Sequence, residues 1–374
     1  MSMLDGAMLK QHRNRKIVIF PIEPLDTRYT AEWYEHLPAA IEKYADEVET
    51  SVEIIVVDGE HPQNGQVTEG AFLNFVDTNI YKSSQLINFA KRVVNTLGDD
   101  DVILFTDAWN PCAVQVKYIL SLLGKKTQML GMWHAGSYDL NDFLGRAFDK
   151  RWSFNFERAL YYVYDENLFA TEYHKRLFKK MCPDQTRPSR CRVVGWPMEY
   201  LRDTLPSKNV EKKNLVVFPH RISQEKRPDV FEQAADYLQD TGWSFVKAQD
   251  LKLSKPQYHE LLAQAKIVFS ASEQETLGIG VYEGMLSGAF PIMPDRLSYR
   301  EVWMSQKDTL YSAPRTWDVG EIESFCEVVM RPLMCADEES RSRQVASMQD
   351  DARIHSFYNG RALYHRLVTS NTTK

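Results

Sequence analysis

Short apolar runs recur along the chain, each followed by a stretch whose apolar positions return every three or four residues. Lys16 to Pro21 (KIVIFP), Val52 to Val57 (VEIIVV), Asp101 to Phe105 (DVILF) and Thr127 to Met132 read as buried strands. Strands of a parallel sheet are covered on both faces, so they are apolar throughout rather than alternating. Tyr161 to Tyr164 reads as a further strand, with Phe169-Ala170-Thr171 opening the helix after it. A second set of strands follows at Leu215 to Phe218, 243–248, Lys266 to Phe269 and Pro291 to Met293. Helical spacing predicts helices after Thr30 (AEWYEHLPAAIEKY), over Ser84 to Leu97, 228–240, 255–265, from Leu277 onward, 320–335 and 340–368. Residues 61–80 carry few regular signals. Thr68, Gly70, Phe72 and Asn79 suggest a long ordered loop there, a kind of segment that is often functional.

Strand and helix alternate in both sets, which predicts an α/β fold of doubly wound, Rossmann-like sheets. A chain of 374 residues is too long for one ordinary core. The polar, charged stretch Lys208 to Asn214 reads as a linker, and the domains are expected at 1–197 and 198–355.

Composition narrows the class without naming it. Apolar residues make up 44 % and charged residues 26 %, as in ordinary globular proteins. The net charge of -6 argues against coating nucleic acid by bulk charge, though not against a local basic patch. The five cysteines are widely spaced with no CxxC pair, so neither a zinc site nor a disulfide framework is expected, and reduced thiols in the cytoplasm are. No apolar run approaches the roughly 20 residues that cross a bilayer. The opening MSMLDGAMLK carries no secretory h-region, so no membrane partner is expected, and the ordered protein is expected to begin near Arg15. No oligomeric state follows from the pattern. From Arg146 to Arg192, eleven Lys/Arg stand against six Asp/Glu with aromatics interleaved. That mixture suits a phosphate backbone, and equally a solvated helix face over a core.

Ligands of α/β folds bind beyond the carboxyl ends of the strands, which selects the candidate site residues. After the first strand, Arg28 and Tyr29 can grip a phosphate and stack on a flat ring. The same residues also read as an ordinary helix start with Thr30 as N-cap. After Phe105, Asp107 can accept a hydrogen bond from a nucleophilic hydroxyl and Trp109 can stack on a sugar or base. The alternative is an aspartate capping the next helix. His134 follows the strand ending at Met132. In the second half, Glu275 and Glu283 flank Gly278 and Gly280. A helix starting near Leu277-Gly278 would aim its free N–H groups at an anion such as a nucleotide diphosphate. Glu275 in the loop and Glu283 two turns inside would then serve the hydroxyls of a sugar and of a ribose.

Glu275-x7-Glu283 with Ser287-Gly288-Ala289-Phe290-Pro291-Ile292 resembles the C-terminal signature of retaining family 4 glycosyltransferases of GT-B fold. Val216 to Arg221 followed by Lys226 is similar to that family's Arg-x4-Lys diphosphate clamp. The His220-Arg221 start, Lys226-x-Pro228 and Pro294 to Tyr299 look like the tRNA-queuosine mannosyltransferase type. Thr27 to Thr30 and Trp33 to Pro38 look like tailed-phage glycosyltransferases, some of which modify DNA bases. The resemblance implies two domains facing across a cleft, with a C-terminal helix (356–374) crossing back to the first. It implies transfer from a nucleotide-sugar to a hydroxyl, with retention and no carboxylate nucleophile. Arg221 and Lys226 would neutralise the leaving diphosphate, and His134 would contact the donor sugar. No metal or cofactor beyond the donor is expected. A nucleic-acid acceptor, foremost a hydroxymethylated pyrimidine of phage DNA in the host cytoplasm, or otherwise a tRNA base, is the expected partner. The chain departs from the family in lacking a glycine-rich loop after its first strand.

Overall fold

The computed structural model describes residues 13–26, 28–61, 74–147, 149–181, 190–205, 210–303, 309–355 and 357–369. The expectations for the first ten residues, Thr27, Thr68, Gly70 and Phe72 lie outside them. The described residues build two parallel sheets. The first contains β1 (Arg15–Phe20), β2 (Val52–Val56), β3 (Val102–Phe105), β4 (Gln128–Trp133), β5 (Glu166–Phe169) and β6 (Cys191–Val193). Their order is β2-β1-β3-β4-β5-β6. The second contains β7 (Lys213–Phe218), β8 (Ser244–Lys247), β9 (Ala265–Phe269), β10 (Phe290–Pro294) and β11 (Leu310–Tyr311), in the order β11-β10-β9-β7-β8. Every pairing is parallel.

The apolar runs became strands because both faces of these sheets are covered. In β1, Ile17 and Ile19 pack with Trp33, Leu37 and Ile41 on one side. Val18 and Phe20 pack with Phe89, Phe105 and Tyr164 on the other. In each sheet the strand order turns back between the first and third strands of the set, β1/β3 and β7/β9. At such a switch point neighbouring connections leave toward opposite faces, and a crevice opens at the carboxyl ends.

Four expectations need correction. Tyr161 to Val163 is not a strand but the last turn of the helix Lys150–Val163, which buries Glu157, Leu160 and Tyr161 on one face. The strand is β5, hidden in the sequence by its polar Glu166 and Asn167. Glu166 is paired with Arg366 at 2.6 Å, and Asn167 accepts the Trp133 indole N–H at 2.9 Å. Thr30 is not an N-cap: the helix runs Tyr29–Glu47, and the Thr30 hydroxyl accepts the Leu25 N–H at 3.1 Å. The helix expected from Ser84 begins at Phe75, where Asn74 caps it by accepting from Val76 and Asp77 N–H, both at 3.1 Å. Residues 340–368 form two helices, Glu338–His355 and Arg361–Val368.

The last helix does cross back to the first sheet. It lies against the helix Tyr29–Glu47, with Tyr44 hydroxyl and His365 Nδ1 3.0 Å apart and Arg361 paired to Glu47 at 2.8 Å. Among the described residues no helix is long and apolar enough to cross a membrane.

Candidate active site

The two switch points face each other across one cleft of roughly 1270 Å³, open to solvent. From the first sheet it takes Arg28 and Tyr29 after β1, Asp107 and Trp109 after β3, and His134 after β4. From the second it takes Arg221 and Lys226 after β7, and Glu275 to Leu277 after β9. Ten of the sequence-derived candidates are therefore on one lining or at its edge. Gly278 borders it as the N-cap of the helix Ile279–Leu286, with φ 76°. That left-handed conformation suits glycine, and a Cβ there would meet the Tyr299 ring at 2.9 Å.

The second-sheet wall is ionic. Lys226 Nζ donates to the Gln274 carbonyl at 2.5 Å and to Glu275 Oε2 at 3.0 Å. The other oxygen of Glu275 accepts the Thr276 and Leu277 N–H groups, each at 3.1 Å. The Glu275 carboxylate therefore occupies the N–H groups that the sequence assigned to a diphosphate. Burial alone would raise its pKa. Lys226, His220 and the Gly278 and Leu277 N–H groups outweigh burial and hold it at about 2. Glu283 is placed elsewhere. As expected, Glu275 lies in the loop before the helix and Glu283 inside it. Glu283 turns to the helix Lys255–Gln264, where Lys255, the Tyr258 hydroxyl at 3.2 Å and His259 at 3.4 Å surround it. Burial opposes its ionisation, yet Lys255 and His259 keep it at about 2. Among the described lining residues Glu283 is absent.

The first-sheet wall mixes aromatic rings with charges that are mostly paired within it. His134 Nε2 lies 2.5 Å from the Thr106 carbonyl, which can only accept, so Nε2 carries the proton. Nδ1 then accepts from the Tyr29 hydroxyl at 2.7 Å. Burial lowers the His134 pKa against the opposing pull of Asp107, in keeping with a neutral ring. Both ring nitrogens are thus engaged by the protein. Burial pushes the Tyr29 hydroxyl well above its usual range. Asp107 holds Lys82 at 2.7 Å and accepts the Trp109 N–H at 3.0 Å. Burial opposes its charge, and Lys82 and His134 more than restore it. The Trp109 indole N–H is fixed on Glu157 at 2.8 Å. Arg28 is lowered to about 10, first by burial and then by the Arg221 guanidinium across the cleft.

Sequence reading missed Lys82, Phe75 and Thr78 and put Asn79 in a loop, because the helix Phe75–Asn88 that carries all four was started too late. The Asn74 cap was the available signal. It also missed Asp142, whose carboxyl is raised to about 6 by burial and lines the cleft. The walls are bridged by several contacts. Thr276 Oγ1 donates to the His134 carbonyl at 3.0 Å, Arg146 pairs with Glu225 at 2.8 Å, and Lys255 lies 3.6 Å from Glu32. Glu301 accepts the N–H groups of Glu172 (2.7 Å) and Tyr173 (2.8 Å) at the start of the helix Glu172–Met181. Among the described residues no cluster of three or more His, Cys, Asp or Glu side chains is placed to hold a metal ion.

Two parallel α/β halves opposed across a cleft, with a returning C-terminal helix, define the GT-B fold. Solved structures share it over nearly the whole chain. Sucrose-phosphate synthase from Thermosynechococcus elongatus covers 96 % of this chain and 95 % of its own, with TM-score 0.56 and 12 % identity. A trehalose-6-phosphate structure from E. coli, bound with UDP-2-fluoro glucose, covers 94 % and 98 %, with TM-score 0.57 and 11 % identity. In sequence, a 144-residue stretch is 24 % identical to tRNA-queuosine alpha-mannosyltransferase of Drosophila melanogaster. The match takes in 37 % of this chain and 37 % of that relative, little over a third of its length. No protein-family model matches the chain.

Proposed function

We propose that this protein is a retaining glycosyltransferase of the family 4 type, moving a sugar from a UDP- or GDP-sugar to a hydroxyl acceptor. The observation that carries the reading is the convergence of Arg221, Lys226 and Glu275 from one switch point, and Arg28, Asp107 and Trp109 from the other, on one cleft. The structural neighbour that binds a UDP-sugar analogue has the same fold. In transfer, the bond from C1 to the diphosphate oxygen breaks and the oxygen keeps the electron pair. The acceptor oxygen bonds to C1 on the same face, and its proton passes to the departing diphosphate. Lys226 is held in place before the donor arrives and Arg221 once the halves are closed, so both stabilise the developing charge without reorganising during the chemical step. Glu275 orients the sugar, and Lys226 transfers part of its hydrogen bonding from Glu275 to the diphosphate. His134 contributes its carbonyl side and a fixed neutral ring. No metal is required in this scheme, and chelator should leave the rate unchanged.

The acceptor proposed is a hydroxymethylated pyrimidine base in DNA. Trp109 lines the cleft and packs at 6.1 Å against Trp152, whose ring is half exposed on the basic helix Lys150–Val163. The two rings meet edge to face at 81°, and a ring face near the surface suits a base unstacked from its strand. The partial match to a tRNA-modifying enzyme favours a second reading, a tRNA base. Incubation with a panel of nucleotide-sugars and either hydroxymethylated DNA or tRNA, followed by mass analysis of nucleosides, tests both. A sugar-sized mass gain on one nucleoside is expected. Donor binding without transfer or hydrolysis would instead make the chain a nucleotide-sugar-binding protein.

A further inference from the structure

We propose that Glu225 is a positioning residue that makes the presentation of Arg221 to the cleft depend on the two halves being closed. The inference rests on the reading of Arg221 as a diphosphate ligand. Glu225 sits in the short loop after β7, directly before Lys226, and its side chain is 1 % exposed. Its two carboxylate oxygens are divided between the halves. Oε1 accepts from Arg221 Nη2 and from the Ser223 hydroxyl at 2.7 Å. Oε2 accepts at 2.8 Å from Nη2 of Arg146, which lies on the helix Phe143–Ala147 of the first half. The main-chain carbonyl of Glu225 also accepts the Glu273 N–H at 2.8 Å, tying it to the loop that carries Glu275.

Arg221 has its Nε on the Ser223 hydroxyl at 3.1 Å and its Nη2 on Glu225. A guanidinium is a rigid fork, so fixing those two nitrogens sets the direction of Nη1, and Arg221 lines the cleft. The balance depends on Arg146. A buried carboxylate needs donors on both oxygens. With Arg146 in place, Oε2 is satisfied from the first half and Arg221 spends one edge only. When the halves part, Arg146 leaves with its own half. Oε2 then recruits the nearest remaining cation, Arg221, as a bidentate partner and turns it out of the cleft. Only the closed form presents the arginine to a diphosphate.

The test is a double-mutant cycle on nucleotide binding, read by calorimetry with UDP and GDP as probes. Arg146 is partly exposed, at 36 %, so Arg146→Met is expected to fold, and a thermal melt checks this. Arg146→Met should weaken binding of the preferred nucleotide by about tenfold in the wild-type background and have no further effect in Arg221→Ala. Glu225→Gln should reproduce the Arg146→Met loss if it folds. An equal loss from Arg146→Met in both backgrounds, or none in either, overturns the coupling while leaving Arg221 as a ligand. Failure of the wild type to bind either nucleotide removes the parent reading, and the inference with it.

Discussion

After β7 and β9 the loops deliver charged side chains, whereas after β1, β3 and β4 they set aromatic rings and a neutral histidine beside the charged Arg28 and Asp107. The strand order at the two crevices is the same. The second-sheet wall satisfies its charges from close by in space: Lys226 on Glu275, and Glu275 on N–H groups of its own loop. The first-sheet wall satisfies its polar atoms so that the rings stay fixed: Trp109 on Glu157, and Tyr29 on His134. The topology thus decides where a ligand goes, and the loop chemistry decides which part of it. An ionic wall suits a phosphate handle. An aromatic wall with few uncommitted charges suits a flat or hydroxylated acceptor.

Removing the charge from the ionic wall is the severest way to break that contrast. Lys226→Ala should lower kcat/KM by at least about 10³-fold, since it deletes a preorganised cation at the leaving group. Activity within tenfold of wild type would remove the ionic wall from catalysis. Glu275→Ala should abolish transfer and also cost about 3–5 kcal/mol in stability, because a buried ammonium loses its partner. The carboxyl of Glu275 titrates at about 2 in the folded protein, below its ordinary 4.5. Its stabilisation is therefore complete above pH 4.5 and lost as pH falls toward 2, about 3 kcal/mol in all. Glu275→Gln should flatten acid denaturation over that window, and an unchanged acid limb would contradict the pairing.

Substitutions on the aromatic wall should act on the acceptor alone. Trp109→Ala should raise the acceptor KM roughly 5- to 150-fold, the span of one lost stacking contact, while donor hydrolysis is unaltered. A matching rise in donor KM would erase the distinction between the walls. The smallest effect is expected at Asp142, whose carboxyl is raised to about 6 from an ordinary 3.8. The folded state binds this proton more tightly than the unfolded, so stability is lost as pH rises from about 4 to 6. Asp142→Asn should therefore raise Tm at pH 7.5, by about 1–3 kcal/mol in stability, and give no gain below pH 4. A gain that persists at pH 4 would assign the effect to packing.

Much of the fold was legible because parallel strands covered on both faces leave an unbroken apolar signature, as in Ile17 to Phe20 and Val102 to Phe105. β5 was not, since Glu166 and Asn167 break the pattern and find their partners far away, at Arg366 and Trp133. Of the site, Glu275 was picked out by its place after a strand, and Arg221 and Lys226 by the family resemblance. Glu275 in the loop and Glu283 inside the following helix were also legible, but not the side of that helix on which Glu283 lies, which its partners Lys255, Tyr258 and His259 decide.

The sequence by itself determined the alternation of strand and helix, the division into two sheets and the loops that carry charge. Those properties depend on neighbours within a few residues. Only the tertiary structure decided that Lys82 would neutralise Asp107, that Glu275 would pair with Lys226 from the neighbouring loop, and that Arg146 would cross the cleft to Glu225. A buried charge is held by whichever opposite group the packed fold brings within about 3 Å, and distance along the chain carries no information about that.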